Sequence, residues 1–239
     1  NQKLGRMGIF AIFCCGMMGC VGTVVDIAGD VTDAAFDVAE AAVEAPFAIA
    51  SAGMDSNWPA KVEDHANWTF DAQPIHWIDA STVNGAIVVK GEDRTDIAVL
   101  AVKEVRAKRE DDAKSFAEKV VIEAKTKRDV LQVTNTYPQP PRDVNVMVRY
   151  EIQMPREMHL ILKTTNGSVQ IEHATGEIQA NSTNGAIRIT DFLGPIQART
   201  TNGAITLVDG QSEANVETSN GRVKFEQFSG KMDVKTSNA

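Results

Sequence analysis

The last third of the chain repeats its pattern of apolar and polar positions every 18 residues. Within each repeat, two short runs alternate apolar and polar residues, which is the period of half-buried β-strands. Aligned repeats give four apolar columns: Val169, Ile187, Ile205 and Val223; Ile171, Ile189, Leu207 and Phe225; Ile178, Ile196, Ala214 and Met232; and Ala180, Ala198, Val216 and Val234. Each repeat is therefore predicted to contain two strands.

An Asn-Gly pair stands at the same place in every repeat. The pairs are Asn166-Gly167, Asn184-Gly185, Asn202-Gly203 and Asn220-Gly221, with Asn238 at the next position and an earlier Asn84-Gly85. A repeat this short cannot bury its own apolar face, so stacking predicts an all-β fold: a single-stranded parallel β-helix, or solenoid, with coils of about 18 residues. Its asparagines would form a ladder of side-chain amides, and glycine would supply the positive φ of each turn.

The alternative is an antiparallel meander, because Asn-Gly between alternating runs is also a strong hairpin signal. A meander does not need every intervening position to match its counterpart one repeat away, and this favours the solenoid. Arg199, Glu217 and Lys235 share one column, where stacking would give a ladder of alternating charge. Since the hexapeptide pattern of left-handed solenoids is absent, a right-handed helix is expected.

The first residues resemble a bacterial lipoprotein signal. Lys3 and Arg6 precede a run of twelve mostly apolar residues, 7–18, and then come Gly19 and Cys20. This run is shorter than the roughly 20 residues that span a bilayer, but it suits the apolar part of a secretory signal. The resemblance implies cleavage before Cys20, in Met17-Met18-Gly19-Cys20, and a lipid on the Cys20 sulfur; an ordinary signal peptide is the alternative.

Cysteine and charge patterns are consistent with export. All three cysteines, Cys14, Cys15 and Cys20, lie in this first segment, so the mature chain would have no disulfide or thiolate metal site. Loss of Lys3 and Arg6 would make the formal charge of −8 two units more negative. This acidity argues against nucleic acid as a partner.

Four segments are expected along the chain. Residues 1–19 would be the signal peptide, and residues 20–60 would be the lipidated N-terminus followed by a helix and a linker. The helix, which is rich in alanine and acidic residues and ends at Pro46, would act either as a spacer or in self-association. Residues 61–162 would form irregular first coils, with a short helix at 111–118 and a loop at Pro138, Pro140 and Pro141. Residues 163–239 would be the regular coils. The chain stops at the opening of a further turn, so a continuation or a partner chain is expected there.

The run from Val83 through Thr164-Thr-Asn-Gly167 and the tandem Thr-Asn-Gly coils resembles a family of bacterial adhesin-like proteins related to auto-transporter adhesin head domains. The resemblance covers about residues 66–239, and its motifs are structural rather than catalytic. It implies a single-stranded β-helix in an exported or envelope-associated protein. No catalytic residues and no cofactor are implied.

Candidate chemistry in the sequence is sparse. The histidines His65, His76, His159 and His173 show no metal-ligand spacing, and no phosphate loop or nucleophile motif appears. Asp191 and Asp209 share a column with His173 and Gln227 and are weak candidates for a cation site, or else solvated turn residues. Trp58, Trp68 and Trp77 could bind sugar, but packing as an N-terminal cap of the solenoid is favoured.

These patterns predict a non-enzymatic envelope protein, anchored to a bacterial membrane by its N-terminal lipid. Its adhesin-like solenoid would bind a glycan or an envelope protein or act as a structural spacer. A carbohydrate-active β-helix enzyme is the first alternative, and it would need a stacked cluster of carboxylate and basic residues. An envelope-stress regulator that binds a partner is the second.

Overall fold

The computed structural model describes residues 58–238, so the predicted signal segment, Cys20 and the acidic helix lie outside the described residues. The described part is all-β with one short helix. Its elements are β1 (Ala60–Asp71), β2 (Trp77–Asn84), β3 (Ile87–Glu92), β4 (Asp96–Ala107), α1 (Glu110–Ala117), β5 (Val121–Lys127), β6 (Val130–Thr136), β7 (Val144–Pro155), β8 (His159–Asn166), β9 (Val169–Thr175), β10 (Ile178–Ser182), β11 (Ile187–Leu193), β12 (Ile196–Thr200), β13 (Ile205–Gln211), β14 (Ala214–Thr218), β15 (Val223–Ser229) and β16 (Met232–Thr236).

The strands form two mixed sheets of eight strands each. The first has the order β1-β4-β7-β3-β9-β11-β13-β15, and the second has the order β16-β14-β12-β10-β8-β2-β6-β5. From β8 onward, successive strands alternate between the two sheets, so each repeat contributes one strand to each. The expectation of an all-β protein is confirmed.

The repeated strands pair in parallel with a register of one repeat. Ile178 is opposite Ile196 in the pair β10 and β12, and Ile187 is opposite Ile205 in the pair β11 and β13. The same offset continues through β14 and β16 and through β13 and β15. The antiparallel meander is therefore wrong for these strands, and each aligned column of the sequence is a row of neighbouring side chains.

The apolar columns of both sheets meet in one hydrophobic core. In β8 to β14, the inward positions are buried, whereas Met232 and Val234 of β16 are 49% and 42% exposed. An intervening column shows complementary packing: Gly210 lies between Phe192 and Phe228, whose ring centroids are 6.1 Å apart. A Cβ atom at Gly210 would lie 2.0 Å from the Phe192 ring, so this position accommodates the neighbouring aromatic side chain.

The first half of the described region differs from the expected irregular parallel coils. Strands β1, β4 and β7 pair antiparallel, and so do β5 and β6. Strands β2 and β3 nevertheless pair in parallel on both sides, with β6 and β7 and with the repeated strands β8 and β9. Ion pairs cross the outermost antiparallel pair, Lys61 to Glu104 at 2.9 Å and Lys103 to Asp64 at 2.8 Å. Charged side chains on an edge strand hinder pairing with a further strand.

The single helix lies close to its predicted position. Helix α1 spans Glu110–Ala117 and buries Ala113, Phe116 and Ala117 in the core, next to β1 and β4. The segment with Pro138, Pro140 and Pro141 is a loop between β6 and β7, as expected. Within residues 58–238, no helix is long and apolar enough to cross a membrane.

Candidate functional site

The repeated asparagines form a continuous chain of side-chain hydrogen bonds. From the second asparagine onward, each Nδ2 donates to Oδ1 of the preceding asparagine in the row, over 2.7–2.9 Å. The linked residues are Asn84, Asn166, Asn184, Asn202, Asn220 and Asn238. At the start of the row, Nδ2 of Asn84 donates to the carbonyl of Val146 over 3.2 Å. An amide can donate and accept at once, so identical residues complement one another along the row.

A second row of hydrogen bonds, not predicted from the sequence, lies two positions before the asparagines. The hydroxyl groups of Thr164, Ser182, Thr200 and Thr218 donate to the carbonyls of Gly85, Gly167, Gly185 and Gly203 over 2.9–3.1 Å. These hydroxyl-bearing residues are buried. Their recurrence at one column of the sequence was the available signal, because a buried hydroxyl group needs a partner.

The glycines of these turns are required for close approach rather than for a left-handed backbone. Gly167, Gly185, Gly203 and Gly221 do not have positive φ angles; of this set only Gly85 does, at 145°. A Cβ atom on Gly185 would lie 1.7 Å from the carbonyl oxygen of Gly167. A Cβ atom on Gly167, Gly203 or Gly221 would lie 1.8–2.0 Å from the carbonyl oxygen of the preceding glycine in the row. The expectation that glycine supplies positive φ at every turn is therefore wrong, and backbone contact between neighbouring repeats is the physical reason.

Positive φ angles occur elsewhere in the repeat, at Gly176, Gly194 and Gly230 and at a separate bend that uses no glycine. His173, Asp191, Asp209 and Gln227 have φ angles of 48–56° and occupy equivalent positions in β9, β11, β13 and β15. This conformation costs roughly 1–2 kcal/mol for a residue with a side chain. It turns these polar side chains outward, so that the following residue in β9, β11 and β13 points into the core.

These side chains line a cavity of about 360 Å³. We call it the polar groove, and its polar lining includes Arg156, His173, Asp191, Asp209, Gln211 and Gln227. Nδ1 of His173 is 2.6 Å from Oδ2 of Asp191, and the Arg156 guanidinium is 3.9 Å from the same oxygen. The structure thus brings both predicted aspartates to one groove and adds Arg156, which lies outside the repeat.

The two aspartates of the polar groove differ in their surroundings. The side chain of Asp191 is paired with His173, whereas the side chain of Asp209 forms no hydrogen bond or ion pair with any residue in 58–238. Across this described range, no group of three or more His, Cys, Asp or Glu residues is arranged to hold a metal ion. The groove therefore combines one free carboxylate with amide, imidazole and guanidinium groups.

The other predicted residues lie apart from the polar groove. Trp77 stacks on His159 with ring centroids 4.6 Å apart, and Nδ1 of His159 accepts a 2.9 Å hydrogen bond from the backbone N–H of Glu177. Since β2 lies between β6 and β8, Trp77 is not at the edge of its sheet, unlike Trp68 in β1. The expected N-terminal cap of tryptophans therefore does not include Trp77.

Of the charged residues that share one column, Arg199, Glu217 and Lys235, only two form an ion pair with each other. Arg199 and Glu217 form an ion pair of 3.3 Å between β12 and β14. Lys235, at the next position, makes no ion pair with the described residues. The pair is half exposed, so it contributes only a few tenths of a kcal/mol.

A buried tyrosine lies in the half of the described region that precedes the repeats. The Tyr150 hydroxyl in β7 donates a 2.9 Å hydrogen bond to Oδ1 of Asn135. Burial, which disfavours the phenolate, raises the pKa of Tyr150, and burial also raises the pKa of Tyr137. These groups belong to the core rather than to a binding surface.

No protein-family model matches the chain, and no curated protein matches it. Solved structures that it resembles include a candidate cell adhesion protein from Clostridium sporogenes, at 9% identity and a TM-score of 0.37, covering 73% of this chain and 99% of that one. A candidate adhesin from Bacteroides fragilis is 12% identical with a TM-score of 0.32, covering 72% and 96%. A candidate lipid-binding protein from Parabacteroides distasonis is 11% identical with a TM-score of 0.29, covering 73% and 95%. The function of this chain therefore has to be inferred from its own residues.

Proposed function

We propose that the chain is a non-enzymatic lipoprotein of the bacterial cell envelope that uses a β-solenoid for adhesin-like binding. The strands from β8 onward are its regular coils, and the antiparallel strands β1, β4 and β7 end the stack on the side that precedes the repeats. Rows of polar side chains along the coils form the surface that a glycan or an envelope protein contacts.

The observation that carries this proposal is the one-repeat parallel register. It holds from β8 to β16, and it places every outward side chain beside its counterpart in the next repeat. Hydrogen-bonded rows of amides and hydroxyls at the turns tie these repeats together. A scaffold of this kind suits binding, because a rigid surface loses little conformational freedom when a ligand docks.

The lipid anchor rests on the sequence around Cys20. Labelling of cells with an alkyne fatty acid should mark the wild-type protein and leave Cys20→Ala unmarked. Cys14→Ala and Cys15→Ala are matched controls, since both residues would be removed with the signal peptide, and they should keep the label. Equal labelling of Cys20→Ala would contradict the anchor.

The binding role is tested by screening the 239-residue chain against an array of envelope and extracellular polysaccharides and envelope proteins. Retention of one of these without the appearance of new reducing ends is the expected result. Release of new reducing ends would overturn the non-enzymatic role and favour the carbohydrate-active alternative, with Asp191 and Asp209 as the first residues to replace. No retention on the whole array would contradict the binding role.

A further inference from the structure

We propose that the polar groove is a binding site for a neutral polyhydroxylated chain, such as an uncharged glycan. The inference rests on the proposed function and names the site and the ligand class. The groove crosses β9, β11, β13 and β15, and each of these strands contributes the side chain of a left-handed residue. Neighbouring strands in a sheet are about 4.8 Å apart, so the lining presents polar groups at regular intervals to an extended ligand.

The lining offers both donors and acceptors of hydrogen bonds. The free carboxylate of Asp209 can only accept, the Arg156 guanidinium can only donate, and the amides of Gln211 and Gln227 can do both. A sugar hydroxyl also donates and accepts, so adjacent hydroxyl groups can satisfy all of these partners. Leu193, which is 52% exposed at the same groove, provides an apolar contact for the C–H groups of a sugar ring.

Charge and backbone pairing argue against other ligand classes. An anionic chain would meet two carboxylates, Asp191 and Asp209, against the single guanidinium of Arg156. A divalent cation prefers six or more oxygen ligands, and the groove has no suitable cluster within the described residues. Strands β9, β11 and β13 are each paired on both sides, so a peptide cannot add as a strand beside them; of the four strands that the groove crosses, β15 alone lies at the edge of the sheet.

The test is titration calorimetry of the 239-residue chain with the neutral sugars cellohexaose, laminarihexaose, xylohexaose and mannohexaose, and with the anionic hexagalacturonate. At least one neutral hexasaccharide is expected to bind more tightly than hexagalacturonate. Asp209→Asn removes a charge-assisted hydrogen bond and should weaken that binding about fivefold. Asparagine tolerates the left-handed backbone, so the urea midpoint of this variant should stay at the wild-type value.

Asp233→Asn is the matched control, because Asp233 is an exposed aspartate of β16 in the other sheet; its binding should equal that of the wild type. Failure of every neutral hexasaccharide to bind, or a preference for hexagalacturonate, would overturn the inference. Equal affinity of the wild type and Asp209→Asn would show that the sugar binds outside the polar groove, and this would overturn the inference as well. In each case, retention of another ligand on the polysaccharide and protein array would leave the broader binding role intact.

Discussion

Replacement of Gly185 by alanine tests whether backbone contact between repeats is what the Asn-Gly turns require. The φ angle of Gly185 is outside the positive range, so alanine does not meet the penalty of a left-handed backbone there. Its Cβ atom would lie 1.7 Å from the carbonyl oxygen of Gly167 and 2.4 Å from the carbonyl carbon, both of them backbone atoms. A backbone atom cannot rotate away as a side chain can, so the two repeats must separate.

The structure gives the size of the effect. Real Cβ atoms essentially never approach closer than 3.0 Å, so the turns must move apart by more than about 1 Å. The bonds from Asn184 Nδ2 to Asn166 Oδ1 at 2.7 Å and from Ser182 Oγ to the Gly167 carbonyl at 3.0 Å would then exceed hydrogen-bonding distance. With the backbone bond from Asn184 to Thr165, three hydrogen bonds are at risk. At about 1 kcal/mol each, the free energy of unfolding should fall by about 3 kcal/mol.

Urea unfolding followed by far-ultraviolet circular dichroism measures this difference. Thr183→Ala is the control, since Thr183 is an exposed neighbour in the same turn, and its change should stay within about 0.5 kcal/mol. Gly185→Asn separates the two explanations, because asparagine tolerates a left-handed backbone but meets the same contact. A loss below about 0.5 kcal/mol for Gly185→Ala, or full tolerance of Gly185→Asn, would refute the contact explanation.

Three further changes test other parts of the structure. Asn184→Asp puts a carboxylate oxygen against Oδ1 of Asn166, so the folded state raises the pKa of the new aspartate. The free energy of unfolding should therefore fall below the wild-type value by about 1–2 kcal/mol at pH 7 and by less at pH 3, measured by urea titration. A loss of stability that does not depend on pH would contradict this. Gly210→Ala should lower the free energy of unfolding by about 2 kcal/mol, because the new Cβ atom contacts the Phe192 ring. The double variant with Phe192→Leu should regain part of this stability in thermal unfolding, and no regain would count against the contact. Because burial raises the pKa of Tyr150, its neutral hydroxyl stabilises the fold below pH 10, and this stabilisation is lost as the pH rises further. Between pH 9 and 11 the free energy of unfolding of Tyr150→Phe should therefore fall by about 1 kcal/mol less than that of the wild type. Equal losses would contradict the burial effect.

The repeated half of the fold could be predicted because its information is periodic. Strands one repeat apart have matching apolar positions, and this match specifies a parallel register in a way that a single strand cannot. The ladder from Asn166 to Asn238 follows from the same register. Helix α1 and the proline loop were accessible through local composition alone.

The half that precedes the repeats was harder to predict, because the alternation of apolar and polar residues shows which side of a strand is buried but not the direction of the strand beside it. Strands β1, β4 and β7 alternate as clearly as the repeated strands, yet they pair antiparallel. The role of the turn glycines was missed for a related reason. Their constraint comes from the carbonyl of another repeat, a non-local contact, whereas the usual inference from Asn-Gly concerns the torsion angles of the turn itself.

The polar groove combines predictable and unpredictable parts. Asp191 and Asp209 share a column, so their proximity follows from the repeat. Arg156 lies between β7 and β8, outside the repeat, and no periodicity could place it beside Asp191. The left-handed bend was also hidden, since aspartate, histidine and glutamine at a strand position look like ordinary solvent-facing residues.

The contrast between identical and varied columns within this one chain separates the scaffold from the candidate site. The turn row repeats asparagine without exception from Asn166 to Asn238, because an amide that both donates and accepts is its own best neighbour. The groove column instead changes from His173 to Asp191, Asp209 and Gln227, although all four have the same strained backbone. A column that only held the repeats together would gain from a self-complementary residue, or from glycine at such a bend. Only His173 and Asp191 pair within this column, and Asp209 and Gln227 gain no such bond from stacking. This is the pattern expected where the partner of a side chain is a ligand rather than the next repeat.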